Sequence, residues 1–283
     1  MPPALNQDTL KQDSLKHDVQ THFAFGKNWA RYGETITQQD IEIAEANLKR
    51  FLGLDDLSGK SFLDIGCGSG IHALAALRMG ARSVHGIDID EESVATAKAV
   101  LAAHWPQPNH TIEWGNVFEV SPAALGRFDV VYSWGVLHHT GDMWAAIRNA
   151  ASFVAPGGLF VIAIYRKTRF CGFWRWEKAI YVRSGKAFRA LAVSLYVVLR
   201  VFRDLLRLRN PIKKIAGHNR KRGMKWYTDV IDWIGGYPYE SATPEEIGAF
   251  VESLGFRLDQ SWKTKAKSGL LGTGNAEYRF RKT

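Results

Sequence analysis

Short apolar runs and helically spaced apolar stripes alternate along the middle of the chain. The apolar runs at 61–65, 83–87, 111–114, 128–134 and 159–165 each have the length of a buried strand. The helices predicted between them are at 71–79, 91–103 and 143–154. Since strands separated by helices pair in parallel, this pattern predicts a doubly wound α/β sheet with helices on both faces.

Two capping boxes mark helices outside the alternating part. Thr37 and Asp40 begin one helix, which Gly53 ends, and Thr243 and Glu246 begin another. The closing strands are predicted near 257–262 and 276–281. The alternating pattern therefore returns after an interruption that starts where the fifth strand ends.

The interruption is predicted to be a helical insertion with its longest helix at 186–209. The whole chain of 283 residues carries a net charge of +9. Between residues 166 and 225 there are 18 Lys or Arg against Glu177 and Asp204 alone, so this segment carries +16 and the rest of the chain −7. A segment with this charge faces an anionic partner, solvent or both. The predicted division is an N-terminal cap segment and helix at 1–53, a ligand-binding core at 54–165, the basic insertion at 166–237 and the C-terminal part of the core at 238–283.

Composition excludes several classes of protein. The chain is 46% hydrophobic and 23% charged, which is typical of a globular protein with a sizeable core. Two cysteines exclude a disulfide framework and a multi-cysteine zinc site, and no metal site is predicted. The first residues lack the apolar core of a signal peptide, and the longest uncharged run is broken by Pro156-Gly157-Gly158. We therefore expect a cytoplasmic protein without a transmembrane helix.

A glycine-rich loop follows the first strand, at Leu63-Asp64-Ile65-Gly66-Cys67-Gly68-Ser69-Gly70. Glycines let a backbone approach a ligand closely, and the helix that follows offers free N–H groups. A dinucleotide fingerprint would place its third glycine at position 71, which is Ile71. Asp88 ends the next strand, where a carboxylate can accept hydrogen bonds from both hydroxyls of a ribose. Asp88 could instead cap the following helix, but Asp90 is better placed for that role.

These motifs resemble those of the class I S-adenosylmethionine-dependent methyltransferases, of the broad group that includes the ubiquinone-pathway O-methyltransferases. LDIGCGSG is similar to the first motif of that family and GIDID to the second, while FDVVYSWGVLHH and VAPGGLFVIAIY resemble its fourth and fifth strands. The resemblance covers residues 59–165 and 243–281. It implies a Rossmann-like, mostly parallel sheet with a C-terminal antiparallel strand at 276–281. It also implies S-adenosyl-L-methionine as the cofactor and methyl transfer as the activity.

The resemblance further indicates which residues bind the cofactor. Gly115-Asn116-Val117 stands where the family usually has Gly-Asp at the adenine, so here that contact would go through the amide oxygen of Asn116. The predicted cofactor-binding residues are Asp64, Gly66, Cys67, Gly68, Gly70, Asp88, Ile89, Asn116, Val117, Trp134 and Trp29.

The predicted catalytic residues are His139, His138 and Tyr32. The two histidines follow the fourth strand at the edge where ligands bind in such sheets, and a histidine can remove a proton from a phenol or an amine. Either histidine could instead pack against or cap the adjacent turn. Tyr32, with Phe25 and Trp29, could cover the cofactor near its reactive methyl group, or these aromatics could only attach the N-terminal segment to the domain.

Three further features have less specific interpretations. Tyr165 ends the fifth strand and could line the acceptor pocket or complete the core. The stretch 222–240, with Gly235-Gly236, could be a closing lid or a helix that these glycines end. His22 is a weaker candidate for the base.

The sequence favours a methyltransferase that acts on a small molecule at oxygen or nitrogen, and the basic insertion points to an anionic acceptor. Two alternatives stay open. An RNA-modifying enzyme would use the positive charge of the insertion together with Trp174, Trp176 and Tyr181. A membrane-surface enzyme with a lipid-like acceptor would use the helix at 186–209, where arginines lie at helical spacing beside valines and Phe202.

Overall fold

Seven strands form one mixed sheet in the computed structural model, which describes residues 25–216, 226–263 and 274–283. The strands are β1 (Ser61–Ile65), β2 (Ser83–Asp88), β3 (His110–Trp114), β4 (Phe128–Trp134), β5 (Val154–Tyr165), β6 (Phe256–Lys263) and β7 (Asn275–Lys282). Their order is β3-β2-β1-β4-β5-β7-β6, with β1 to β5 parallel and β7 antiparallel to both of its neighbours. The predicted doubly wound sheet with an antiparallel C-terminal strand is confirmed.

Helices cover both faces of the sheet. The helices are α1 (Gly26–Gly33), α2 (Gln38–Leu52), α3 (Ile71–Arg78), α4 (Glu91–His104), α5 (Pro122–Leu125), α6 (Met143–Ser152), α7 (Cys171–Arg183), α8 (Lys186–Leu206), α9 (Pro211–Ala216), α10 (Trp226–Gly235) and α11 (Pro244–Ser253). Apolar residues of α2, α3 and α4 pack in one core cluster with the sheet, and those of α6 and α11 pack in another. Burial on both faces explains why the central strands are continuous apolar runs in the sequence.

The predicted helix starts are confirmed by their hydrogen bonds. The Asp40 N–H donates to Oγ1 of Thr37, and Oδ2 of Asp40 accepts from the Thr37 N–H. Thr243 and Glu246 make the same reciprocal pair at the start of α11. Asp90 accepts from two first-turn amides of α4 and is the cap of that helix, as predicted.

Helix α1 is absent from the sequence prediction. It has neither a side-chain cap nor an acid in its first turn, so the usual signals of a helix start are missing. The Gly26 N–H instead donates to Oδ2 of Asp90, 64 residues away, at 3.0 Å. The start of α1 therefore depends on a tertiary contact that no local sequence pattern predicts.

Two element boundaries differ from the prediction by three residues or more. β5 begins at Val154 and not at 159, because the strand continues through Pro156-Gly157-Gly158 while its register against β4 shifts between Phe128 and Val130. α8 ends at Leu206 and not at 209. Both changes leave the order of the elements unaltered.

The described part of the insertion is helical, as predicted, and comprises α7 to α10. A small cluster of Tyr181, Val193, Val230 and Ile234 joins α7, α8 and α10. The ammonium group of Lys178 is buried and donates to the main-chain oxygen of Trp233, at the end of α10. Within the described ranges, no helix combines the length and apolar character that a membrane crossing needs.

Candidate active site

A cavity of about 450 Å³ opens beside the carboxyl ends of β1, β2 and β4, where the strand order reverses. It brings together most of the residues that the sequence predicts for the site. Those lining it are Tyr32, Trp29, Gly66, Cys67, Gly68, Asp88, Ile89, Asn116, Val117, Trp134, His138 and His139. Of the other predicted residues, Asp64 and Gly70 lie outside this lining.

Asp88 is held in place by the backbone around it. Its Oδ2 accepts from the Gly68 N–H at 2.9 Å, and its Oδ1 accepts from the Asp90 N–H at 3.0 Å. Burial raises the pKa of the Asp88 carboxyl to about 6, against which these amides favour the charged form. The carboxylate is therefore oriented in advance and ties the second strand to the glycine-rich loop.

The glycine-rich loop packs closely against neighbouring side chains because it has no side chain of its own at two crowded points. A Cβ atom at Gly68, which has φ +53°, would lie 3.1 Å from the indole of Trp29. A Cβ at Gly66 would lie 2.5 Å from the side chain of Val136. The loop thus passes closely beneath α1, which carries Trp29, and beside the turn that follows β4.

Asp64 and Gly70 are enclosed by other parts of the protein. Asp64 is buried in β1, its Oδ2 has no hydrogen-bond partner among the described residues, and burial together with the charge of Asp88 raises its pKa to about 8. A Cβ at Gly70 would lie 2.9 Å from side-chain atoms of Ala97 and Leu101, so its glycine lets α3 pack on α4. Their positions favour support of the loop over direct ligand contact.

The amide of Asn116 is engaged by its own turn. Its Oδ1 accepts from the Phe118 N–H and its Nδ2 donates to Oε1 of Glu119, both at 3.0 Å. One lone pair of the amide oxygen is therefore used locally, and the other is what Asn116 can offer to a ligand.

His139 also lines the cavity, and a hydrogen bond fixes the orientation of its ring. Its Nδ1 is 2.7 Å from the carbonyl oxygen of Pro238. Because a carbonyl can only accept, Nδ1 carries the proton and Nε2 is the basic nitrogen of the neutral ring. The rings of Phe25 and Tyr165 lie 5.4 and 5.3 Å from the imidazole, centroid to centroid.

His138 and Tyr32 are more enclosed than His139. His138 is fully buried, its ring centroid lies 3.9 Å from that of Tyr165, and burial holds its pKa well below the usual value, so the ring is neutral. Burial likewise raises the pKa of the Tyr32 phenol far above its usual value, so Tyr32 keeps its proton. The ring of Tyr32 meets that of Trp29 edge to face at 6.0 Å.

Sequence reasoning did not select Asp229, Asp232 and Asn275, which also line the cavity. The aspartates lie on α10 and Asn275 begins β7, so the insertion and the C-terminal strand both reach the site. Two acids at a spacing of three within a basic segment were an available signal. Gly235 ends α10, which favours the helix-end interpretation of Gly235-Gly236 over a hinge.

The structure adds little to two predictions on the site. His22, the weaker candidate for the base, lies outside the described residues. Within the described ranges, no group of three or more His, Cys, Asp or Glu side chains is arranged to hold a metal ion.

A family model described as a methyltransferase domain matches residues 36–261. The match includes the glycine-rich loop, Asp88 and both histidines. This chain belongs to the methyltransferase domain family. The predicted class, the class I S-adenosylmethionine-dependent methyltransferases, is thereby confirmed, and S-adenosylmethionine is the cofactor of this family.

Relatives with two different names share the core of this methyltransferase domain. The tRNA U34 carboxymethyltransferase of Idiomarina loihiensis is 38% identical over 112 residues, which cover 38% of this chain and 34% of the relative. The ubiquinone biosynthesis O-methyltransferase of Neisseria meningitidis serogroup C is 35% identical over 141 residues, which cover 50% of this chain and 58% of the relative. The chain thus matches between about a third and three fifths of the length of these relatives.

A solved structure has the same fold along most of both chains. The magnesium protoporphyrin IX methyltransferase of Synechocystis, crystallised with bound SAH, gives a TM-score of 0.54 at 16% identity and covers 91% of this chain and 94% of that chain. The methyltransferase domain described here also fits an adenosyl ligand by its own geometry. Gly68 and the carboxylate of Asp88, which accepts from the Gly68 N–H, line the same cavity.

Proposed function

We propose that this protein transfers the methyl group of S-adenosylmethionine to a hydroxyl or amino group of a small molecule. The observation that carries the proposal is that one cavity is lined both by Asp88 with the glycine-rich loop and by an oriented histidine, His139. Bound S-adenosylmethionine supplies an electrophilic methyl group. The protein has to align the acceptor with it and exclude water.

Asp88 and the loop around Gly68 are the groups that would hold the cofactor. The carboxylate of Asp88 is fixed by two backbone donors, so its remaining lone pairs are oriented before a ligand arrives. A ribose offers two hydroxyl donors that suit such an acceptor. Trp29 on α1 lies over the loop and would cover the ligand there.

His139 is the residue that would take a proton from the acceptor. The hydrogen bond from Nδ1 to Pro238 stabilises the imidazolium that forms when Nε2 accepts a proton. His138 is a poorer base because its burial disfavours the charged ring. Tyr32 keeps its proton, so its role would be to donate a hydrogen bond or to shape the cavity.

The charge of the cavity favours a neutral or cationic acceptor over an anionic one. Asp229 and Asp232 join Asp88 and Asp90 in the lining, and no Lys or Arg lies among the described residues of that lining. Carboxylates accept hydrogen bonds from hydroxyl and amino groups and repel anions. We therefore propose an acceptor with hydroxyl or amino donors and without a negative charge at the reacting end.

A small molecule is favoured over RNA because two of the three aromatic residues considered for base stacking are buried. Trp174 and Tyr181 are buried, and of the three aromatics considered for base stacking Trp176 alone is exposed. Stacking on nucleic acid needs ring faces that a base can reach. Two of the three rings considered for stacking are therefore out of reach of a base.

Methyl transfer from labelled S-adenosylmethionine into metabolite extracts, lipid extracts and total RNA tests the proposal. We expect a labelled small product, and His139→Ala should lower kcat on the order of 100-fold while cofactor affinity stays near that of the parent. His104→Ala, an exposed histidine at the end of α4, is the matched control and should retain kcat. Label confined to RNA, or a kcat unchanged in His139→Ala, would contradict the acceptor class or the base respectively.

A further inference from the structure

The outer face of α8 is a continuous apolar stripe on the surface of the protein. Phe188, Leu191, Leu195, Val198 and Phe202 follow one another at intervals of three and four residues, which places them along one side of the helix. Each of these side chains is between 48% and 66% exposed. A patch of this size is more than the scattered apolar residues of an ordinary soluble surface.

The charged residues of α8 after Lys186 are buried or half-buried. Asp204 is buried, and Arg189 donates to the carbonyl oxygens of Tyr181 and Val182 at the end of α7. The guanidinium of Arg200 lies 5.5 Å from the ring centroid of Trp226 on α10. Between residues 187 and 206 no charged residue is exposed, and Ser194 is the one exposed polar residue.

Exposed basic residues stand at both ends of this apolar face. Arg183 and Lys186 lie at its start, and Arg207, Arg209 and Lys213 lie just beyond its end. They are part of the segment 166–225, in which 18 Lys or Arg meet two acids. An apolar face between clusters of positive charge is complementary to a surface that is apolar inside and anionic outside.

We propose that α8 docks this protein on an anionic lipid bilayer, with its axis in the plane of the interface and its apolar face among the acyl chains. The basic residues at its ends then contact lipid phosphates and carboxylates. The arginines within the helix and its limited apolar length suit a helix that lies on the membrane and does not cross it. The inference depends on the outer face of α8 and the basic residues at its ends, and is independent of the proposed methyl transfer.

Charge argues against a second copy of this chain as the occupant. Two α8 helices packed side by side would bring the basic ends of one copy against basic ends of the other, whether they ran parallel or antiparallel. Like charges at such separations repel. An anionic bilayer is attracted by the same residues and covers the same apolar face.

Co-sedimentation of the full-length protein with vesicles of phosphatidylcholine and phosphatidylserine tests the proposal. The double variant Leu195→Glu/Phe202→Glu should bind at least about tenfold more weakly, because two immersed side chains become charged. Leu258→Glu is the control for an added carboxylate: it places one of the two charges on an exposed leucine of β6 and should bind like the parent. Far-UV circular dichroism and S-adenosylhomocysteine binding check that each variant is folded.

The electrostatic part is tested with Arg207→Gln/Arg209→Gln/Lys213→Gln. Binding to the anionic vesicles should fall on the order of 100-fold, and should weaken with added salt, while binding to pure phosphatidylcholine changes little. Three outcomes overturn the proposal. The parent fails to bind anionic vesicles; the parent self-associates through a contact that Leu195→Glu/Phe202→Glu abolishes; or the parent binds homopolymer RNA instead, and only the charge variants lose that binding.

Discussion

At the scale of single residues, two aspartates two positions apart have separate tasks. Asp90 caps α4 and also accepts from the Gly26 N–H, whereas Asp88 holds the glycine-rich loop and lines the cavity. The sequence could assign the capping role because it depends on neighbours in the chain. It could not show that both carboxylates bind backbone amides from distant segments.

The raised pKa of Asp88 gives cofactor binding a pH dependence. The pKa is raised to about 6 mainly by burial, and a protonated carboxyl loses acceptor strength toward a ribose. Affinity for S-adenosylhomocysteine should therefore be constant near neutral pH and fall as the pH drops below about 6, approaching tenfold per unit. Calorimetry across this range measures it.

Asp88→Asn supplies the control for that profile. The substituted side chain would have one oxygen and one NH2 group in place of two oxygens. Either the NH2 group faces the Gly68 N–H, or it faces the ligand and one acceptor is lost there. Affinity should therefore fall by about ten- to 100-fold at neutral pH. Its remaining pH dependence through the same range should be small. A parent profile that is flat down to pH values well below 6 would show that Asp88 does not carry the binding.

His139 and the acids of α10 show where residue-level prediction ends. The position of His139 after β4 is readable from the strand pattern, and the structure places it in the cavity. Its partner Pro238 lies 99 residues away, beyond any local pattern. Asp229 and Asp232 reach the cavity only because α10 folds back over the sheet edge, and both lie beyond residue 225, where the counted basic segment ends.

At the scale of elements, a helix start can be predicted when its capping residues are neighbours in the sequence. α2, α4 and α11 carry their caps in their own first turns, and the sequence predicts their starts. α1 has no such cap, and its first N–H bonds to Asp90, a distant residue in the sequence that also lines the cavity. Its position depends on tertiary structure, and with it the placement of Trp29 and Tyr32.

Substitutions at Asp90 separate the two tasks of this side chain. Asp90→Ala should lower the free energy of unfolding by about 1 kcal/mol through the lost cap of α4, and should also weaken S-adenosylhomocysteine binding through the lost anchor of α1. Asp90→Asn keeps an oxygen for the cap but offers a donor to the Gly26 N–H. It should retain stability and still weaken binding.

Thermal unfolding and calorimetry of both variants measure this pair of effects. The contrast matters because α1 carries Trp29 over the glycine-rich loop. If Asp90→Asn binds the ligand as tightly as the parent, the contact between Asp90 and α1 does not contribute to the site.

At the scale of the whole molecule, charge is divided between two surfaces. The segment 166–225 carries +16 and the rest of the chain −7, and the described lining of the cavity contains acids but no Lys or Arg. The sum over the sequence pointed to an anionic acceptor because composition does not show on which surface a charge lies. The positive charge instead borders the apolar face of α8, whose inner side packs on α10 through Val193 and Val230. One helix thus separates the proposed bilayer contact from the acids of the cavity.

This arrangement predicts that ligand and membrane slow hydrogen exchange in different segments of the protein. S-adenosylhomocysteine at about 100 times its dissociation constant stabilises the native state by about 2.7 kcal/mol. Hydrogen exchange should therefore slow most in segments that contact the cavity, namely α1, the loop at 66–70 and the turn at 137–139, with little direct change on the outer turns of α8. Anionic vesicles should give the opposite pattern, with slowed exchange in α8. Asp88→Asn at the same ligand concentration is the control: its stabilisation should drop to about 0.4–1.4 kcal/mol, so it should weaken the first pattern while it keeps the second. Protection of α8 by S-adenosylhomocysteine alone would contradict the division, because it would mean that α8 closes on the cavity.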